Sequence, residues 1–417
     1  MQTLTLFKNF KESRFFYSLL FFIFIFNLFV EFNNYQLLKK NEVYHTKGII
    51  ENVYKKKNYQ ILKIKTQNFT FFTKYNQNKD VQILQNIDLY LTTKEITFLT
   101  YLKGFYTNSF NYNFLDSTAY HKEKIYNFID SQHLNKDISS LYNALFIATP
   151  LTPNIRELAS KLGISHLIAI SGFHLGLISF VLYFIIQFIY NKLHTKILPY
   201  RNKRFDIMVI TSFILLFYLY FIDVPASLLR AFIMFIFALF LSRNNIKIIS
   251  FETLFIVLCI IISFFPKLLF SLSLWFSIAG VFYIFLFLKY FQNLHKFLQF
   301  ILFNIWIFLG MNPIVHYFFE TTTLEQLYSP ILTILFSIFY PISILLHAFH
   351  FGGLFDIYIE KLIDLPISNM EFFTPTWFFI LYIMVSLFAT IRKNIFILLN
   401  LLFIIYNLWM FVFLFIF

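Results

Sequence analysis

Long apolar runs separated by short polar connections make up most of this chain. Most of these runs approach or exceed the length of a helix that crosses a hydrocarbon layer about 30 Å thick. An early run, residues 15–32, predicts a first membrane anchor. The later candidate spans are residues 164–190, 205–222, 225–242, 248–265, 267–290, 297–312, 376–391 and 394–416. The pattern predicts a polytopic α-helical membrane protein.

A different pattern occupies residues 40–115, between the first anchor and the later spans. Short β-branched and aromatic runs, some of them alternating polar and apolar positions, are separated by turn-like stretches such as KKKNY and NQNKD. They predict a small OB-like β-barrel or a meander, called here the β-module. Residues 1–39 then form a cytoplasmic tip with the first anchor. Residues 116–162 form an amphipathic helical connection, and residues 163–417 form the main transmembrane domain.

Basic residues mark the connections that we expect to face the cytoplasm. These four basic connections follow residues 190, 242, 289 and 391. With all four inside, the spans up to residue 312 alternate regularly and the β-module lies on the extracytoplasmic side. The stretch 328–350, interrupted by Pro330 and Pro341, disturbs this count if it crosses the membrane. We therefore expect it to be re-entrant or interfacial.

The composition agrees with this architecture and narrows the chemistry. The 417 residues are 59% hydrophobic, with a mean hydropathy of +0.67 and a formal net charge of +13. The single cysteine, Cys259, excludes an intrachain disulfide and a cysteine-based metal site. The sequence contains no G-x-x-x-x-G-K-[ST] loop and no H-E-x-x-H motif. We therefore expect no cofactor and no recognisable nuclease, zinc or ATP site.

Ionisable residues inside the predicted spans are the first candidates for function, because inserting one at the bilayer centre costs about 2.5–3.5 kcal/mol. Arg230 is the clearest case. Its guanidinium suits the lining of a path for anions because it donates two parallel hydrogen bonds. The alternative is an arginine that reaches the interface or pairs with Asp223 for assembly alone.

The stretch SHLIAISGFHLGLI carries several polar residues on one predicted helix face. His166 and His174 share a stripe with Ser171 close by, while Gly172 and Gly176 allow another helix to approach. The stripe predicts the lining of a polar path, and buried core histidines are the ordinary alternative. A catalytic Ser171–His174 pair is a further alternative, although no carboxylate orients the histidine within this helix. Other candidate lining residues are Ser273, Ser277 and His316.

The β-module is basic, with fourteen lysines and seven acidic residues between 39 and 124. Lysines interleaved with aromatic residues are typical of small barrels that bind single-stranded nucleic acid. The alternative is a domain whose aromatic residues form the core and whose lysines keep it soluble. The candidate nucleic-acid-binding residues are Lys47, Lys55, Lys56, Lys57, Lys63, Lys65, Tyr54, Tyr59 and Phe71.

Five segments together resemble the ComEC competence family of membrane channels for DNA uptake. SHLIAISGFHLGLI at 165–178 resembles the first signature of that family and PASLLRAFIM at 225–234 its second. PKLLFSLSLWFSIAGV at 266–281 resembles the third, and the segments NPIVHYFF and LYSPILTILFSIFYP follow in the family's order. The resemblance marks His166, Ser171, Gly172, His174 and Arg230 as signature positions.

The resemblance implies that one DNA strand passes through residues 163–417 across a bacterial cytoplasmic membrane. Many relatives continue into a metallo-β-lactamase-like domain, whereas this sequence ends in an apolar run, so we expect any nuclease to be a separate protein. The other expected partners are membrane lipid, an extracytoplasmic DNA receptor, a cytosolic motor or single-strand-binding proteins, and further copies of the chain. A transporter or channel for a small anion or a lipid-linked substrate, and an intramembrane hydrolase, remain as rival functions.

Overall fold

The computed structural model describes two compact units of the chain. It describes residues 9–55, 59–76, 81, 83–115, 120–197, 200–243, 249–365, 367 and 370–416. The first unit comprises Met1–Phe128, Asn244–Lys247 and Phe255–Leu274. The second unit comprises Ile129–Arg243, Ile248–Leu254 and Trp275–Phe417.

The first unit begins with a long helix, α1 (Phe10–Lys39), whose end enters the core of a β-sheet. Most of its apolar side chains are exposed, as expected for an anchor in lipid. Tyr35 and Leu38, near its end, are buried in the same apolar cluster as the strands, and the Tyr35 hydroxyl donates to the Ile96 carbonyl. The anchor and the sheet therefore share one core.

The sheet has six strands in the order β5-β3-β2-β1-β4-β6. The strands and the helix between β4 and β5 are β1 (Val43–Lys55), β2 (Gln60–Lys65), β3 (Thr70–Tyr75), β4 (Asn86–Thr92), α2 (Phe98–Lys103), β5 (Phe105–Tyr106) and β6 (Ser109–Leu115). The predicted closed barrel is wrong, because β5 and β6 are the two edges of an open sheet. Only two residues of β5 pair with β3, and after Asn108 the chain pairs with β4 instead. Among the strands that the structure describes, no ladder therefore joins the two edges.

A lysine ties the sheet to the anchor helix. It lies in the 3-10 turn Pro266–Phe270, which follows α10 (Phe251–Phe264). Lys267 Nζ lies 2.7 Å from the Glu31 carboxylate, donates to the Asn68 carbonyl and sits 4.7 Å from the ring centre of Tyr101. A side chain with these three contacts connects α1, the β2–β3 turn and α2.

Short helices precede the main bundle of the second unit. They are α3 (Tyr120–Asp130), which begins in the first unit, and α4 (Lys136–Ile147), α5 (Pro153–Lys161) and α6 (Ser165–Ile168). Apolar residues of α4, α5 and α6 share one core with Phe336 and Tyr340 from later in the chain.

The remaining helices confirm a multi-span α-helical protein. They are α7 (Gly172–Ile197), α8 (Lys203–Phe221), α9 (Ala226–Arg243), α11 (Leu272–Phe291), α12 (Lys296–Phe318), α13 (Ser329–Ala348), α14 (Asp356–Ile363), α15 (Thr376–Ala389) and α16 (Lys393–Ile416). Among the described residues, seven segments are long and apolar enough to cross a membrane, and they include α1, α7, α8, α11, α12, α16 and Leu324–Ala348. α10 and α15 are apolar but shorter.

Residues on either side of α13 come back to the same place. The short strands β7 (Thr321–Thr322) and β8 (Met370–Glu371) pair antiparallel, so the segment between them leaves and returns to one point. Nearby, the Thr374 amide donates to the His316 carbonyl at the end of α12. Pro341 lies inside α13 without breaking it, which differs from the interruption expected at that residue.

The opposite end of these helices is basic. Lys289 Nζ, in the last turn of α11, donates to the Thr390 carbonyl at 2.6 Å, and the Tyr290 hydroxyl donates to the Ala389 carbonyl at 2.7 Å. The basic residues of the connections after 289 and 391 therefore gather at one end of the bundle, away from the β7–β8 pair.

Candidate functional site

The stretch predicted as one helix over 164–190 is broken within the first signature. α6 ends at Ile168, Ala169 is extended with ψ 122°, and α7 begins only at Gly172. His166 and His174 therefore lie on different helices, and the continuous polar stripe predicted through them is wrong. His166 is exposed, whereas His174 is fully buried.

Ser171 and His174 cap the start of α7. The Phe173 amide donates to Ser171 Oγ, and the Ser171 amide donates to His174 Nδ1, both at 3.3 Å. This reciprocal pattern is that of a capping box, with histidine in the place usually held by Glu or Gln. Capping competes with helix continuation, because Ser171 must adopt a non-helical backbone to offer its side chain. The cap explains both the break and the three-residue spacing.

The cap also assigns the tautomer of His174. Because Nδ1 accepts the Ser171 N–H, the ring proton of the neutral imidazole belongs on Nε2. Ser171 Oγ lies 3.3 Å from the same Nδ1, so a proton-accepting role toward that hydroxyl competes with the backbone amide. Within the part of the chain that the structure describes, His174 Nε2 has no hydrogen-bond partner.

The second signature packs directly on this break. Ser227 Oγ, in the first turn of α9, donates to the Ile170 carbonyl in the break itself. A Cβ added at Gly172 would lie 3.2 Å from Ala231 Cβ, so a larger residue would push α9 away by a few tenths of an ångström. The predicted role of Gly172 in close packing is supported, but Gly176 has no atom within 4 Å of such a Cβ.

Arg230 occupies the same junction. Its side chain is 1% exposed, and Nη2 donates to the Ser227 carbonyl at 3.3 Å. Asp223, in contrast, is exposed in the α8–α9 turn with φ +64°. A charged guanidinium is therefore held in the protein interior one turn beyond the serine that bonds to the first signature.

Later segments complete the surroundings of the first signature. The imidazole of His174 meets Tyr340 and Phe336 of α13 edge to face, with ring centres 4.7 and 5.4 Å away. Just before α13, side chains of three residues donate to carbonyls of the turn that leads into α6. Those donors are Thr323 to Lys161, Gln326 to Ser160 and Ser329 to Gly163. The structure thus brings the first signature, the second signature and the LYSPILTILFSIFYP segment together.

The remaining predicted lining residues have different positions. Ser273 is exposed and Ser277 half-buried in the first two turns of α11. His316 is buried near the end of α12, where its Nδ1 lies 3.1 Å from Thr322 Oγ1. Together with the burial of His174 and Arg230, this means that several predicted path-lining groups are interior packing contacts in this structure. The side chains of His174, Arg230 and His316 have almost no surface exposed to solvent.

A second polar cluster was not found by sequence reasoning. His133 contacts both His347 and Asp356, with distances of about 3 Å between the polar atoms. The contacts join residues 214 and 223 positions apart in sequence, and the residues form no recognisable spaced motif. Only the tertiary structure reveals them.

Three of the six predicted basic residues, Lys47, Lys63 and Lys65, lie on the outward face of the described part of the β-module. Lys63 and Lys65 point outward from β2, but both lie near the Glu51 carboxylate, at 2.7 and 3.9 Å. Lys47 is exposed on β1. Tyr54 and Tyr59 are half-buried. Lys55 is the last residue of β1, and Lys56 and Lys57 lie outside the described residues.

The prediction that Phe71 is available to stack on bases is wrong. Phe71 is fully buried, because alternate residues of β3 face the core and Phe71 has the register of Thr73 and Tyr75. The exposed aromatic pair of the sheet is instead Tyr90 with Phe110, stacked at 5.9 Å between ring centres. The period of two along β3 was the sequence signal that separates Phe71 from the outward-facing Phe72.

Comparison with known proteins agrees with the grouping of these signatures. No curated protein and no solved structure matches the chain. The model of the family described as Competence protein matches residues 149–417, which include the α6–α7 break, α9 and α13. The chain therefore belongs to the Competence protein family.

Proposed function

We propose that residues 163–417 provide the route by which one DNA strand crosses the cytoplasmic membrane during natural transformation. Family membership supports a role in competence at a coarse level. The passage of a single strand is the finer step that the proposal adds.

The observation that carries the proposal is the broken helix at residues 169–171. Irregular backbone within a membrane protein is tolerated where it is surrounded by protein or lines a cavity, and discontinuous helices mark binding sites in many transporters. Here the Ile170 carbonyl of the break accepts from Ser227 of α9, and the buried guanidinium of Arg230 lies one turn further along that helix. A helix N-terminus and a guanidinium both attract phosphate, so a phosphate would be favourably bound between them.

The described arrangement is the closed state of the proposed route. His174 and Arg230 have almost no exposed surface, so a DNA strand reaches them only when α7, α9 and α13 separate. Gly172 and Ala231 bring α7 and α9 close together, and Ser227 of α9 donates to the Ile170 carbonyl just before α7. We propose that these contacts part when the route opens.

The orientation proposed from the basic connections is consistent with the bundle ends. The gathered basic residues near Lys289 and Arg392 define the cytoplasmic end, and the β7–β8 pair then belongs to the outer end. Because the segment between β7 and β8 returns to its starting point, we propose that α13 enters from the outside and does not cross fully. From the alternation of spans and basic connections along the sequence, we further propose that the β-module is extracytoplasmic and that its basic face holds the incoming strand.

Arg230 provides the test of the route. In competent cells, Arg230→Gln is expected to lower uptake of labelled DNA at least tenfold while leaving the amount of inserted protein unchanged. Arg243→Gln is the matched control, because Arg243 lies on the same helix, is exposed and contacts the ring of Phe205. Normal uptake with Arg230→Gln would remove the proposed role of this residue.

The β-module is tested separately with the full chain in lipid nanodiscs. Single-stranded DNA binding is expected to weaken steeply with salt, because each phosphate contact releases a counterion. Lys47→Ala and Lys74→Ala, both at exposed lysines, are expected to reduce the slope of that salt dependence. Binding that is absent at low salt would favour the rival function, a transporter for a small anion.

A further inference from the structure

Three residues from distant parts of the second unit meet in its interior. His133 follows the end of α3, His347 lies in the last turn of α13, and Asp356 begins α14. His133 Nδ1 is 3.0 Å from both carboxylate oxygens of Asp356, and His133 Nε2 is 2.9 Å from His347 Nε2. His347 Nδ1 is 2.7 Å from the Ser343 carbonyl oxygen.

These contacts require one more proton than neutral histidines supply. A carbonyl oxygen only accepts, so His347 Nδ1 carries the proton of that ring and its Nε2 is an acceptor. His133 must then donate from Nε2 to His347. If His133 were neutral, its Nδ1 lone pair would face an ionised carboxylate at 3.0 Å. Both contacts become hydrogen bonds when His133 is an imidazolium, donating from both nitrogens.

The distance between the two Nε2 atoms distinguishes a proton from a metal ion. Two imidazoles bound to a tetrahedral zinc ion at about 2.0–2.1 Å would place their nitrogens roughly 3.3 Å apart. The observed 2.9 Å is instead an ordinary hydrogen-bond distance. In the described part of the chain, no group of three or more His, Cys, Asp or Glu residues could hold a metal ion.

The surroundings of the His133 ring are closed to solvent, and the Asp356 carboxylate contacts the ring directly. The His133 side chain is fully buried, and the Asp356 side chain is 19% exposed, enough for partial hydration of an ionised carboxylate. The Tyr142 ring of α4 stacks on His133, at 4.7 Å and 8°. Burial, and then the charge of Asp356, raise the pKa of the Tyr142 phenol, so it contributes no charge at neutral pH. Asp130, on the same loop as His133, is engaged by the Ser139 hydroxyl.

Hydrogen bonds of the Gln132 side chain and the close passage of Gly352 hold the two rings in place. The Gln132 amide bridges the two chain segments, donating to the His347 carbonyl and accepting from the Gly352 amide. A Cβ at Gly352 would lie 2.8 Å from His347 Nε2, so the chain passes the imidazole at a distance that only glycine permits. The pair is therefore held by its surroundings rather than by chance contact of mobile side chains.

We propose that His133, His347 and Asp356 form a proton-binding site, in which His133 is an imidazolium balanced by Asp356 and donating to His347. The proton joins the loop before α4, the last turn of α13 and the start of α14. Its loss leaves two imidazole lone pairs facing each other or a lone pair facing the carboxylate, which loosens α13 from α4.

The site also touches the first signature through aromatic rings. The His347 ring lies 5.0 Å from Phe146, Phe146 lies 6.1 Å from Tyr340, and Tyr340 meets His174 at 4.7 Å. Movement of the last turn of α13 would thus reach the residue that caps α7. The proton site itself does not depend on the proposed DNA route.

Nuclear magnetic resonance of the full chain in lipid nanodiscs, labelled with ¹⁵N-histidine, tests the proposal. At pH 7.5 we expect one histidine with both ring nitrogens protonated and a coupling between two Nε2 nuclei across a hydrogen bond. His133→Gln is expected to abolish both signals. Asp356→Asn, which keeps the shape of the side chain, is expected to abolish the doubly protonated signal. His295→Gln, at an exposed histidine, is the control and should leave both unchanged.

Two results would overturn the proposal. One is a parent spectrum at pH 7.5 in which no buried histidine has both ring nitrogens protonated. The other is one zinc ion bound per chain whose removal by EDTA shifts both Nε2 signals. Asp356→Asn keeps the test informative if His133→Gln fails to fold.

Discussion

Replacing Ser171 separates a structural role of the first signature from a catalytic one. Ser171 accepts the Phe173 amide and offers its own amide to His174, as the first residue before α7. Ser171→Ala removes the side-chain acceptor, whereas Ser171→Asn keeps one in a residue type that caps helices well. Asparagine cannot replace serine as a nucleophile, so the two substitutions give opposite expectations under the two roles.

The size of the effect follows from the cap. Loss of an N-cap acceptor costs about 0.5–2 kcal/mol, and the 3.3 Å length of this bond places Ser171→Ala toward the lower part of that range. For a unit of this size we expect a fall in melting temperature of roughly 1–3 °C. Ser171→Asn should melt within about 1 °C of the parent, because its amide oxygen restores the acceptor.

Thermal melting in detergent and DNA uptake in competent cells provide the two readouts. If the cap is the role of Ser171, uptake follows melting temperature, and Ser171→Asn retains most of both. If Ser171 is a nucleophile, Ser171→Asn and Ser171→Ala lose uptake equally while both proteins insert and melt like the parent. That second pattern would refute the role of Ser171 as a helix cap.

Three further predictions address packing, topology and the anchor. Gly172→Val should destabilise the chain by about 1–3 kcal/mol through overpacking against α9, while Gly176→Val should leave its melting temperature unchanged, because it faces open space. Leu354→Cys and Lys393→Cys, each in a background without the native cysteine, should be labelled by a membrane-impermeant reagent from opposite sides of the membrane. Labelling of both positions from the same side would contradict the returning path of α13. Lys267→Gln removes an ion pair with the first anchor, and it should speed hydrogen exchange in α2 several-fold, a change worth roughly 1 kcal/mol; unchanged exchange would show that the contact contributes nothing.

Local patterns in the sequence were sufficient to predict the presence of membrane helices, of a strand region and of the family signatures. Apolar runs predicted the membrane helices because every backbone polar group in lipid must be satisfied within its own helix. Alternating residues predicted the strands, because side chains of a strand point to opposite faces in turn. The signature segments were sufficient for the family. Each of these inferences depends on residues within one element.

Local patterns could not predict whether the sheet closes or that the helix breaks before α7. Whether a sheet closes depends on pairing between its edges, and here β5 is too short to extend the ladder. The apolar residues around 169–171 fit a continuous helix, but the competing hydrogen bonds of the cap and of Ser227 favour an interruption. The second of these bonds comes from a residue 57 positions away in sequence.

By itself the sequence determined which segments are apolar throughout and which alternate in polarity, which connections are basic and which family signatures are present. Tertiary structure alone decided that Phe71 and His174 are buried, that Gly172 and not Gly176 meets a neighbour, and that His133 joins His347. The physical reason is distance along the chain. Periodicity arises from the backbone geometry of neighbouring residues, whereas burial and proton sharing depend on groups that only folding brings into contact.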